Sequence, residues 1–187
     1  MKKLTLLAAL TLTSLVASAD MKIGTVDRML LIRNHPNYES NKSLLASTDK
    51  DYQKKVEVIK DEGEKLQAEG KKLAEQFRNP MLAAKAKADT EKQLMEIQQK
   101  LIGVEQRYRA EVSRCRQDLQ DLETRLLRAT DDDLRKRISK FAEKAGYDLV
   151  IDKNATMFAK AKFDVTNDML KELGVDPKDA KGRDESK

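Results

Sequence analysis

Pro80 stands between two long stretches without proline, residues 37–79 and 81–176. Proline breaks a helix interior because it lacks the N–H and clashes with the preceding turn, so helices on either side must end near it. The only other prolines are Pro36 and Pro177. Arg78-Asn79-Pro80 therefore reads as a turn between two long helices. The second helix is expected to stop at Gly146, a glycine just past a last turn holding Lys140 and Lys144.

Both stretches carry a heptad seam. On the outgoing helix Tyr52, Ile59, Leu66 and Leu73 recur every seven residues, interleaved with Val56, Gly63, Gly70 and Phe77. On the returning helix the seam runs Leu94, Ile97, Leu101, Val104, Tyr108, Val112, Cys115, Leu119, Leu122 and Leu126, with one stutter across Val104, Tyr108 and Val112. Two such seams flanking a turn predict an antiparallel hairpin roughly 60 Å long. With the tip centred on Pro80, partner numbers sum to about 160. Ile59 then faces Leu101, Leu66 faces Leu94, Tyr52 faces Tyr108, Leu45 faces Cys115, and Ile97 fills the space at Gly63. Each seam glycine costs about 1 kcal/mol of helix stability relative to alanine. Two readings stand for Gly63 and Gly70: they admit the partner helix, or, with Gly103, they make the arm pliable.

The chain ends read differently. Residues 22–27 and 147–152 are strand-like, residues 153–155 form a turn, and residues 156–159 are expected to pair back as a hairpin. Thr166 reads as the N-cap of a short helix that ends before Gly174. From Pro177 the chain is charged, lacks large apolar residues, and is expected to be disordered. The predicted fold is α+β and mostly α. A small discontinuous β-rich body (20–36 and 140–174) bears a helical hairpin arm (37–139, tip near 78–81), followed by a charged tail (175–187). So small a body is marginal alone, so it is expected to oligomerise through Ile23, Val26, Leu149, Val150, Ile151, Phe158 and Val165.

Upstream of the body, Met1-Lys2-Lys3, an apolar run from Leu4 to Val16 and the triplet Ala17-Ser18-Ala19 read as a signal peptide cut after Ala19. Asp20 follows the cut, where a lipoprotein would place cysteine. Charged residues make up 37% of the chain and aromatics 4%, with no Trp, which suits long solvated helices rather than a large core. The net charge of +5 falls to about +3 once Lys2 and Lys3 are removed, too mild an excess to imply nucleic acid. Cys115 is the single cysteine, so no internal disulfide forms; its seam position favours a small buried apolar residue, the alternative being that it meets a copy of itself in an oligomer. His35, the single histidine, precedes Pro36 and reads as a surface turn residue. Asp131-Asp132-Asp133 reads as a polar helix face or start rather than a metal site. No phosphate loop, activated nucleophile or metal-ligand spacing appears, so neither enzyme activity nor a cofactor is expected. Around the tip Lys71, Lys72, Arg78, Lys85, Lys87 and Lys92 outnumber Glu75, Asp89 and Glu91. That excess suits contact with anionic lipid, lipopolysaccharide or acidic client segments, although ordinary solubility is the simpler explanation of it.

The stretches KIGTVD (22–27), AGYDLVIDKNATMF (145–158) and DVTNDMLKELG (164–174), set around a charged helical hairpin, resemble the Skp/OmpH family of periplasmic chaperones. The likeness runs to Gly174, in the arms only as heptad character. Phe158 stands where tyrosine is common in that family, the arm is rather long, and the tail beyond Pro177 is additional. The resemblance implies a homotrimer whose arms enclose a cavity and hold unfolded outer-membrane β-barrel proteins in the periplasm without ATP. It assigns no individual client-contacting residue. The competing reading is a coiled-coil envelope scaffold that binds one folded partner.

Overall fold

A computed structural model describes residues 21–182. The expected signal peptide, with Ala17 and Ala19, lies outside the described residues, as do residues 183–187. In chain order the elements are β1 (Ile23–Val26), α1 (Arg28–Arg33), α2 (Tyr38–Phe77), α3 (Ala84–Ala145), β2 (Leu149–Asp152) and α4 (Thr166–Glu172), with single 3₁₀ turns at Lys153–Ala155 and Ala161–Phe163. The mostly helical fold with a long hairpin is the one expected from the seams.

α2 and α3 pack antiparallel along the arm. At 1.5 Å per residue α2 is about 60 Å long and α3 about 93 Å. α3 ends on Gly146 in the left-handed region (φ 69°), where the missing side chain removes the steric cost.

The register differs from the one centred on Pro80. A Cβ added at Gly63 would meet Val104, not Ile97, and one at Gly70 would meet Ile97. Tyr52 reaches Asp118 rather than Tyr108, and Leu45 shares a groove with Leu126 rather than meeting Cys115. Partner numbers at the two glycines thus sum to about 167, one heptad beyond the expected value. The reason is physical. A seam that repeats every seven residues looks the same after a seven-residue slip, so apolar pattern alone cannot choose. The loop of residues 78–83 is not symmetrical either, because the first turns of α3 overhang the end of α2.

β1 and β2 pair in parallel, Ile23 with Leu149 through Val26 with Asp152, so the whole hairpin is the crossover between them. Gly24 suits β1 because Tyr147 and Val165 pack closely onto its backbone, each 3.3 Å from where a Cβ would stand. The expected hairpin of residues 156–159 does not form. β2 takes its partner from β1 instead, and Thr25 bridges to Asp164 on the other side. Thr166 is not the N-cap of α4. Its hydroxyl accepts the Asp27 amide at 2.9 Å, and the Asp164 carboxylate accepts the Thr166 amide at 2.9 Å.

The body has a larger core than its composition suggested. α1, a helix within a stretch expected to be β-rich, buries Leu30, Leu31 and Ile32 against Leu134 of α3 and Met169 and Leu170 of α4. Leu31, Leu134, Met169 and Leu170 are fully buried, and each such side chain contributes about 1.5–3 kcal/mol. The arm joins the body near Asp131, earlier than the expected boundary at 140. At the junction Phe141 stacks on Tyr147 at 5.8 Å, and the Lys22 ammonium lies 4.2 Å over the Tyr147 ring.

The tail is also corrected. Val175 packs on the core, Ala180 is buried, and Lys181 is hydrogen-bonded to Asn34, so residues 175–182 are ordered against the body. Charge kept this segment from looking foldable, but the small side chain of Ala180 and its backbone are what make the contact.

Candidate functional site

The arm has two unlike flanks. Met95 and Ile102 are two turns apart on α3, and Leu127 lies a further 25 residues on, about seven turns. All three therefore share one face, each about half exposed. Ile102 borders a groove of about 430 Å³ with Ile59, Gly63, Gln67, Leu101 and Tyr108. Leu127 borders another of about 470 Å³ at the arm's root with Met29, Ile32, Tyr38, Leu45 and Leu126. Lys42 and Lys60, one on each groove, are 18 residues apart on α2, five whole turns, so the two grooves open on one flank.

The opposite flank is charged. Arg107 donates to Glu62 at 2.6 Å, and Asp118, Asp121, Arg125 and Arg128 line its groove. Its exposed apolar groups are Leu44 and Val58, both on α2.

The arm's root is clamped by residues that sequence reading treated as surface. His35 is buried rather than exposed. Its Nδ1 accepts the Asn37 amide at 3.2 Å, so its proton lies on Nε2, which donates to Asp133 at 2.9 Å. Asp133 also accepts from Arg137 at 2.6 Å. Asp131 accepts from Arg28 at 2.6 Å and Arg135 at 3.0 Å. The Arg28 guanidinium holds the Asp131 carboxyl below its ordinary range, and Arg137, then His35, do the same for Asp133. The acidic run is therefore neither a helix start nor an open cation site; it fastens the body end of α3 to α1 and to the link between α1 and α2. Asn41 adds a bond to Thr130 at 3.3 Å. The missed signal was local: Asn34-His35-Pro36-Asn37 is separated from the apolar Leu30-Leu31-Ile32 by Arg33 alone, which places the histidine beside the core.

The other predicted residues fall into groups. Gly63 and Gly70 face α3 and are filled by Val104 and Ile97, whereas Gly103 faces open space. Lys71, Lys72, Arg78, Lys85 and Lys87 are all exposed around the tip, with Lys87 5.1 Å from the Phe77 ring centroid. α3 starts without a side-chain cap or an acid in its first turn, so Lys85 and Lys87 oppose the positive end of the helix dipole. Of the body residues, Val26 and Val165 are buried in the protomer's own core and are withdrawn from any contact surface, because the packed face of the sheet takes them. Val150 leans on that core, Ile23 and Ile151 are half-buried, and Leu149 and Phe158 are exposed. Exposed Met157 adjoins Phe158. Burial, then the bond to Glu111, pushes the Cys115 thiol up, so it is a poor nucleophile.

Among the described residues no helix is long and apolar enough to cross a membrane. No curated protein matches the chain. The profile of the OmpH-like outer membrane protein family matches residues 22–173, which takes in β1, both arm helices, β2 and α4 and leaves residues 175–182 outside it. The chain belongs to the OmpH-like family, whose members are chaperone-type proteins of the cell envelope rather than enzymes.

Proposed function

We propose that this protein is an ATP-independent periplasmic holdase that keeps unfolded outer-membrane β-barrel proteins apart between its arms. The observation that carries this reading is the row of half-exposed apolar side chains Leu127, Ile102 and Met95 along one flank of a free arm. Half-exposed groups spaced along a rod, with charges between them, bind an extended chain weakly at many points and release it without an energy source. Shielding client strands from one another suppresses their edge-to-edge pairing, and a holdase that binds the unfolded state needs only mass action.

In this reading the mature chain begins at Asp20, and three copies join through their bodies. The outer edge of β2 has no strand partner among the described residues, and Leu149 in β2 and Met157 and Phe158 shortly after it in the chain are exposed, which supports oligomerisation through this part of the body. The basic tip, whose lysines stand where the helix dipole disfavours them, supports a subsidiary contact with anionic lipid or lipopolysaccharide.

The test is dilution of a urea-unfolded β-barrel protein into buffer with a several-fold excess of mature protein. Suppressed light scattering is expected; unchanged scattering overturns the proposal. Capture from periplasm separates it from a scaffold role. Many β-barrel precursors support the holdase, and one stoichiometric folded partner supports the scaffold.

A further inference from the structure

The chain returns to the arm after α4. Beyond Gly174, residues 175–182 run back across the body to the corner where α1 meets α2. Asn34 is buried at that corner. Its Oδ1 accepts the Lys181 amide at 2.8 Å, and its Nδ2 donates to the Lys181 carbonyl at 3.1 Å and to the Leu30 carbonyl at 2.8 Å. A side-chain amide that donates to and accepts from one residue's backbone fixes the path of that backbone. The Lys181 ammonium then reaches the Glu39 carboxylate at 2.5 Å, in the first turn of α2. Ala180 is buried beside these contacts.

The mechanical consequence follows from the layout of the arm. α3 is continuous from the body to the tip, so the arm bends only if α2 slides along α3. The tip loop joins the two helices at the far end. At the root, His35–Asp133 and Asn41–Thr130 tie α2 to α3. The segment 175–182 ties the same corner to α4, independently of α3. Two packed rods held at both ends resist bending more than two rods free to slide.

We propose that residues 175–182 are a strap that limits bending of the arm by blocking the slide of α2, with the Asn34–Lys181 pairing as its latch. The strap governs how far the arm moves, whatever the arm holds.

The test compares the full mature chain, Asn34→Ala, and a chain ending at Val175. Each carries Cys115→Ala and a dye pair at Glu75 and Asn154 in one labelled protomer, and energy transfer reads the distance distribution. In the full chain the Lys181 amide is protected from hydrogen exchange. In Asn34→Ala that protection falls at least about tenfold. In both altered chains the distance distribution widens about twofold. Equal widths in the full and shortened chains, an unprotected Lys181 amide in the full chain, or retained protection in Asn34→Ala overturns the proposal. If the shortened chain loses its helical circular dichroism, Asn34→Ala alone decides.

Discussion

The side chain of Ile97 occupies the gap left by Gly70: a Cβ placed on Gly70 would stand 3.3 Å from its Cγ2, and Val104 stands in the same relation to Gly63. A heptad slip keeps such a pairing at Gly63, which would then face Ile97, but takes the apolar filler away from Gly70. In the register centred on Pro80, Gly70 would face Thr90 instead. The glycines therefore help choose among pairings that the apolar pattern leaves equivalent.

Crosslinking reads this register directly. In a Cys115→Ala background, cysteines at Leu66 and Leu101 are expected to join within one molecule through a short bismaleimide. Cysteines at Leu66 and Leu94 are expected to join far less, being displaced by one heptad, about 10 Å. The opposite preference would restore the register centred on Pro80.

The three glycines should respond differently to alanine. Gly103 faces open space, so Gly103→Ala is expected to stabilise the arm by about 1 kcal/mol through helix propensity. At Gly63 and Gly70 the new methyl meets β-branched side chains that are stiff at χ1, so each gain is expected to be smaller or reversed. Urea unfolding followed by circular dichroism ranks them. Equal gains at all three sites would mean that Val104 and Ile97 do not fill the gaps.

Acid should loosen the arm's root. Asp131 and Asp133 have carboxyls lowered from 3.8 by Arg28 and Arg137. A group whose folded pKa is depressed adds stability that is present above its unfolded pKa and lost as pH falls through the folded one. The contribution is thus complete above about pH 5 and fades below 3.8. The double change Asp131→Asn and Asp133→Asn is expected to lower the Tm at pH 6 and to shrink the further drop between pH 6 and pH 3. Parallel Tm curves for the two proteins would contradict the clamp.

At the tip, Lys85→Glu with Lys87→Glu should act on two properties at once. Reversing charge at the start of α3 is expected to stabilise that helix by about 0.3–1 kcal/mol per site at low salt. It should also weaken salt-sensitive binding to vesicles containing anionic lipid. Unchanged vesicle binding would leave the lysines a role in solubility alone.

Much of this was legible in the sequence because long-range packing had little part in it. Pro80, Gly146 and the heptads act locally, so α2 and α3 could be read within a few residues of their ends. The register was not legible, since it depends on which of several equivalent heptads meet. Nor was the root. His35 and Asn34 are polar residues whose burial is set by partners roughly a hundred or more positions away, and single-residue statistics place such groups on the surface. Val26 and Val165 were apolar and strand-like in either role, and only the packing of α1 and α4 shows that the protomer's own core takes them. The two arm flanks emerged only once the hairpin was closed, because each groove takes its lining from both helices.

The central claim is that unfolded chains lie along the flank of Leu127, Ile102 and Met95. A photo-crosslinking amino acid placed at Ile102 and, separately, at Val58 on the charged flank tests it, with an unfolded β-barrel protein as client. Both sites are exposed, at 57% and 68%, so access alone does not favour Ile102. Strong client adducts at Ile102 and few at Val58 are predicted; equal adducts at both, or a preference for Val58, would contradict the account.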